Sequence, residues 1–97
     1  MKQKSNGGPS GYYDFPKSFK TLNDAVEYLG DTRWLGDSFH LGNIFKAAWR
    51  WGDKDGTSRV YDIRKIIYSG CRLLMKHEGV KELRRTLEEI LEDPQFK

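Results

Sequence analysis

The sequence predicts an all-α fold, a small helical domain with a central antiparallel helix hairpin. Three observations carry that prediction. Apolar residues recur at spacings of three and four in several stretches. Glycines fall where those stretches end, at Gly30, Gly52 and Gly79. No stretch alternates polar and apolar residues for longer than a few positions, and no internal repeat is visible.

Ninety-seven residues suit one domain with a thin core, and association of copies is a common remedy at this size. Aromatic residues make up 13% of the chain, enough to fill a compact helical core. Residues 1–11 are polar and rich in Gly and Ser, and are expected to form a flexible tail, with residues 12–97 as the single helical domain. Tyr12, Tyr13, Phe15 and Phe19 are too apolar for a free tail and are expected to dock in extended form on the helices.

The first helix is expected from Leu22 to Leu29, with Thr21 as N-cap, Asp24 three residues on and Gly30 as its stop. The second runs from Ser38 to Trp51, capped by Asp37 or Ser38. Leu41, Ile44, Phe45 and Ala48 fall on one side of it, and Asn43, Lys46 and Arg50 on the opposite side. Asp53-Lys54-Asp55-Gly56 follows as a turn. It lacks the later ligands of a calcium loop.

The third helix runs from Ser58 to His77. Val60, Ile63, Ile67, Gly70, Cys71 and Leu74 form its main apolar face, and Asp62, Lys65, Ser69, Arg72 and Lys76 form one polar stripe. Ile66 and Leu73 widen the apolar arc beyond what one neighbouring helix needs, which points to a homo-oligomer. The last helix, Val80 to Glu92, is expected to bury Val80, Leu83, Leu87, Ile90 and Leu91. Arg84–Glu88 and Arg85–Glu89 are its exposed pairs, and Pro94 is its stop.

Charge is uneven. Residues 33–76 hold nine basic and four acidic residues, whereas residues 77–97 hold four basic and six acidic. A local basic excess favours anionic partners such as phosphates, nucleotides or nucleic acid. One cysteine, Cys71, allows no internal disulfide, and is read as a core thiol in a reducing, cytoplasmic compartment. No apolar run approaches the roughly 20 residues that span a bilayer, so no membrane partner is expected.

The polar stripe Asn43, Lys46 and Arg50 is the sharpest chemical feature. Arg and Lys suit phosphate oxygens, and Asn adds a neutral donor and acceptor. The alternative is a solvated face beside a helix crossing at Gly42, where a glycine costs about 1 kcal/mol against Ala. In a hairpin, Arg50, Asp62 and Lys65 lie near one another. Asp62 between two cations then serves as an orienting ion pair, in preference to a metal ligand or a base. Arg64 sits on the apolar side, either snorkelling outward or reaching Asp53 or Asp55. His40 and His77 stand apart, without the company of a metal site. Trp34, Trp49 and Trp51 bracket the second helix. Core packing is the usual fate of such rings, with Trp51 or Tyr61 also placed to stack on a nucleobase.

The run containing Phe39, Gly42, Asn43, Lys46, Trp49, Arg50, Gly52 and Lys54 resembles the core motif of the SaV-like bacteriophage family, F-x-x-G-N-x-x-K-Y-x-W-R-x-G-x-K. A following family segment that opens D-L-K-K corresponds to Asp62-Ile63-Arg64-Lys65. The resemblance covers about residues 12–75. It implies a phage origin and a polar site at Asn43, Lys46, Arg50, Asp62 and Lys65. A larger podoviral relative is a nucleotide kinase without a P-loop that assembles as a high-order oligomer. Many members open with a His-Tyr pair, where this chain has Tyr12-Tyr13.

The function expected from these observations is a phage accessory protein that binds a nucleotide or nucleotide-derived phosphate ligand. The ligand residues are Asn43, Lys46, Arg50, Asp62, Lys65 and Arg72, with Trp51 and Tyr61 for stacking. Sequestering a host nucleotide signal is a fitting task, and binding alone needs no cofactor. A nucleotide kinase or phosphohydrolase of phage nucleotide metabolism, with magnesium held by Asp53, Asp55 or Asp62, is the first alternative. DNA or RNA binding is the second.

Overall fold

The computed structural model describes residues 19–53, 56 and 58–96. The expected flexible tail, and the docking of Tyr12, Tyr13 and Phe15, lie outside the described residues. The described chain is all-α, with four helices: α1 (Leu22–Thr32), α2 (Ser38–Arg50), α3 (Arg59–Glu78) and α4 (Val80–Glu92). A 3₁₀ turn, Pro94–Phe96, follows. No sheet occurs among the described residues, and no helix there is long and apolar enough to cross a membrane.

Helix α1 begins with a reciprocal capping box. Thr21 Oγ1 accepts from the Asp24 N–H, and the Asp24 carboxylate accepts from the Thr21 and Lys20 N–H groups. The helix does not stop at Gly30 as the sequence suggested. It continues to Thr32, whose hydroxyl donates to the Tyr28 carbonyl at 2.6 Å, and the chain turns at Gly36. Phe19, just ahead of α1, packs edge-on to Tyr28 with centroids 5.4 Å apart.

Helix α2 crosses α1 at Gly42. A Cβ there would stand 3.5 Å from the Val26 side chain, so the close neighbour demanded by this glycine is a helix. Trp34 fills the corner between the two helices, edge-on to Phe45 at 5.7 Å. The helix ends one residue earlier than expected, because Trp51 leaves the right-handed region at φ 45°.

Helix α3 starts at Arg59, with Ser58 Oγ capping the Tyr61 N–H, and ends at Gly79. It packs against α2, with ionic contacts at both ends of the pair. Arg50, closing α2, bonds Asp62 near the start of α3. Asp37, just before α2, bonds Lys76 at 2.7 Å and His77 at 2.8 Å near the end of α3. The Lys76 ammonium also donates to the Gly36 carbonyl. Asp37 thus gives no cap bond to α2 and serves as a tether instead.

Several core assignments are overturned. Among the described residues, the buried apolar side chains are Ala25, Leu29 and Ala47, and the buried residues of α3 are the polar Asp62 and Ser69. Asp62 and Ser69 of the polar stripe are therefore covered, while Arg72 and Lys76 of the same stripe remain exposed. The apolar face of α3 turns outward, leaving Val60, Ile63 and Ile67 exposed and Gly70, Cys71 and Leu74 half-buried. On α2, Ala48 and Trp49 are exposed, while Leu41, Ile44 and Phe45 are half-buried. Helix α4 buries none of its residues. Leu83 is half-buried and Val80, Leu87, Ile90 and Leu91 are exposed. The common reason is topological. Each helix touches only its neighbours in sequence, α1 on α2, α2 on α3 and α3 on α4, so no helix is covered on all its apolar sides.

Candidate functional site

The arrangement centres on the turn between α2 and α3. Both Nε and Nη2 of Arg50 donate to Asp62 Oδ1, the first at 2.9 Å. Asp62 Oδ2 accepts the Gly52 N–H. Asp62 has no accessible side-chain surface, and both its oxygens are occupied. A buried carboxylate is tolerable only when paired and hydrogen-bonded in this way. The Arg50 guanidinium holds the Asp62 carboxyl below its ordinary range, helped by the Gly52 N–H and by the charge of Lys65, and opposed by burial. In return Asp62 raises the Arg50 pKa. The bonds to Asp62 use Nε and Nη2 of Arg50 and not Nη1, and the side chain keeps 21% of its surface exposed.

The backbone makes this bond possible. Trp51 in the left-handed region and Gly52 at φ 80° reverse the chain so that the Gly52 N–H points at Asp62. A Cβ on Gly52 would stand 2.7 Å from the Arg59 backbone nitrogen, so the turn has room for glycine alone.

Tyr61 lies beside this brace, half exposed. The Arg50 guanidinium stands 6.0 Å from its ring centroid and the Lys65 ammonium 5.8 Å. One aromatic ring flanked by two cations offers stacking and anion contacts together. Asn43, half-buried, and Lys46, exposed, share a stripe of α2 with Arg50. The rise of the helix sets Asn43 about 10 Å from Arg50 along the axis. Arg72 belongs to a second ring contact, donating to the Tyr68 hydroxyl at 2.9 Å with its guanidinium 5.8 Å from that ring. It lies about 10 Å beyond Lys65 along α3.

The structure therefore brings Arg50, Tyr61, Asp62 and Lys65 together. Arg72 is engaged elsewhere along α3. Trp51 is half exposed and positions the turn. Arg64 is exposed and forms no ion pair with Asp53. On α4 the Arg85–Glu89 pair forms at 2.7 Å, and Arg85 also pairs with Glu82, while Arg84–Glu88 does not form. Concavities lined by Phe19, Asp24 and Tyr28 on α1, and by Lys81, Arg84 and Glu88 on α4, share no residue with the Tyr61 site. No group of three potential metal-binding side chains occurs among the described residues.

Two participants escape the sequence reading. The Gly52 N–H carries no side-chain signal, although a glycine two residues after Arg50 marks the reversal that aims it. The Asp37 tether joins residues 40 positions apart, beyond any local pattern. Comparison with family models, with curated proteins and with solved structures returns no match.

The two tethering carboxylates set an acid limit on stability. Hydrogen bonds from Lys76 and then His77 hold the Asp37 carboxyl below its ordinary range, against a smaller opposing effect of burial. Asp62 is lowered as described above. A carboxyl lowered on folding stabilises the fold above its unfolded pKa, and that contribution is lost as pH falls through the folded value. Thermal midpoints followed by circular dichroism should therefore be insensitive to these two groups at pH 5 and above. They should fall as pH drops below the ordinary carboxyl value of 3.8. A midpoint that rises on acidification would contradict this.

Proposed function

We propose that this chain binds a nucleotide or nucleotide-derived phosphate at the end of a central antiparallel hairpin of α2 and α3, and that it works as a homo-oligomer. The observation that carries the reading is the Tyr61 ring flanked by Arg50 and Lys65. A nucleobase stacks on the ring while its phosphate meets Lys65 and the free edge of Arg50. Lys46 and Asn43 extend the same surface along α2. Asp62 acts on the ligand only through Arg50, because it has no accessible surface of its own.

The resemblance of the Gly42–Arg50 motif to a phage family supports a phage accessory role in the infected cell, with capture of a host nucleotide signal as its purpose. For the enzyme alternative, Asp62 is a poor base or magnesium ligand, since both oxygens already accept hydrogen bonds. The exposed apolar surface of α3 and α4 supports self-association.

Titration calorimetry with a nucleoside, its 5′-monophosphate and diphosphate, and a 12-nucleotide single strand tests the reading. The phosphorylated monomers should bind, the nucleoside should not, and the single strand should gain no affinity from its length. Binding confined to the single strand, with a steep loss in salt, would replace this reading with nucleic-acid binding. Turnover of the monophosphate on adding ATP and magnesium would replace it with the kinase.

A further inference from the structure

Helix α3 carries one arrangement twice. Tyr61 has Lys65 four residues on, with the ammonium 5.8 Å from the ring centroid. Tyr68 has Arg72 four residues on, with the guanidinium 5.8 Å from the ring centroid. Successive spacings of four, three and four keep these side chains on one stripe of the helix. The two tyrosines sit about 10 Å apart along the axis, and their exposures are 49% and 57%. Arg72 donates through Nη1 to the Tyr68 hydroxyl. That bond holds the guanidinium at the rim of the ring and not across its face.

The charge along this stripe has one sign. From Arg59 to His77 the helix carries Arg59, Arg64, Lys65, Arg72 and Lys76 against a single carboxylate, Asp62. Asp62 is covered and bonded to Arg50, and Lys76 is matched by Asp37. Asp53 and Asp55 belong to the connection before α3, ahead of the Tyr61 end. In the hairpin proposed above, Asn43 adds to the second unit. It stands seven residues before Arg50, as Ser69 stands seven after Asp62, and Arg50 bonds Asp62. Asn43 therefore comes level with Ser69, the neighbour of Tyr68.

We propose that Tyr68 and Arg72 form a second subsite, and that the ligand carries two nucleobases joined by an oligophosphate. The proposal rests on the nucleotide site at Tyr61 and names the class of its ligand. One base stacks on Tyr61 and the other on Tyr68. The bridging phosphates meet Lys65 between the rings, with Arg50 and Arg72 at either end. Neighbouring bases of a stacked strand lie about 3.4 Å apart, too close to reach both rings. A 3′,5′ link also sets only one negative charge between two bases, where the stripe offers several cations.

Titration calorimetry on the wild type, Tyr68→Ala and Tyr61→Ala tests this, with circular dichroism confirming the helices of each. The probes are ATP and GTP, the dinucleoside tetraphosphates of adenosine and guanosine, and the corresponding 3′,5′-linked dinucleotides. A nucleoside triphosphate and a dinucleoside tetraphosphate carry comparable charge, so the difference between them reports the second base. The wild type should bind one of the tetraphosphates about tenfold or more tighter than the matching triphosphate. Tyr68→Ala should erase that gain and leave the triphosphate unchanged, whereas Tyr61→Ala should weaken both. Equal affinities in the wild type would overturn the second subsite and keep the single-nucleotide reading. Absence of binding throughout would overturn both. A gain that survives Tyr68→Ala would overturn the assignment to that ring. A 3′,5′-linked dinucleotide that binds as tightly as the tetraphosphate would overturn the oligophosphate bridge.

Discussion

Asp62→Ala should lower the thermal midpoint by about 15 °C or more, and circular dichroism should report it as early loss of helix. The substitution leaves Arg50 and the Gly52 N–H without their acceptor in a half-buried turn. It also opens a void in place of a side chain that has no accessible surface. Asp62→Asn should fall between the two, because the amide oxygen can accept from only part of the original set and carries no charge for Arg50. Lys65→Ala, one turn away and half-buried, should leave the midpoint within a few degrees. A midpoint for Asp62→Ala equal to that of Lys65→Ala would contradict the bracing role.

Tyr61→Ala should weaken binding of a nucleoside monophosphate by about tenfold or more while leaving the fold intact, since the ring is half exposed. Stacking of a base on an aromatic side chain is worth about 1–3 kcal/mol. Tyr61→Phe should retain most of the affinity, because the ring face does the work and the hydroxyl makes no hydrogen bond among the described residues. Lys65→Ala should lower the affinity for mono- and diphosphates and reduce its dependence on salt. Trp51→Phe serves as the comparison. It keeps an aromatic ring at the turn and should leave affinity near the wild-type value, so a larger loss there than at Tyr61 would move the stacking position. Calorimetry on the four variants gives the answer.

The helices were legible in the sequence because caps and glycines act locally. Thr21 with Asp24, Ser58 and Gly79 set termini within a residue or two of those observed. Gly30 misled because its place inside α1 depends on the helical bonds that continue to Thr32 and on the approach of Ser38, 3.4 Å from where its Cβ would lie. The nearness of Arg50 and Asp62 was legible once the two helices were expected to pair, whereas the place of Tyr61 between Arg50 and Lys65 was not: the sequence offered Tyr61 only beside Trp51 as a ring able to stack. What the sequence hid was which side of each helix faces inward. Hydrophobic periodicity reports the apolar side and assumes that it is the covered one. Here Asp62 and Ser69 occupy the inner side of α3, while Val60, Ile63 and Ile67 face out. A pattern in one chain cannot distinguish burial within that chain from burial against another.

Intermolecular nuclear Overhauser effects between the Tyr61 ring and a bound nucleoside monophosphate test the central claim most directly. The account predicts contacts from the Tyr61 ring protons to the base, with the phosphate perturbing the Lys65 side-chain resonances and the Arg50 Nε signal. Contacts confined to other aromatic rings, with Tyr61, Lys65 and Arg50 unperturbed at saturating ligand, would contradict it.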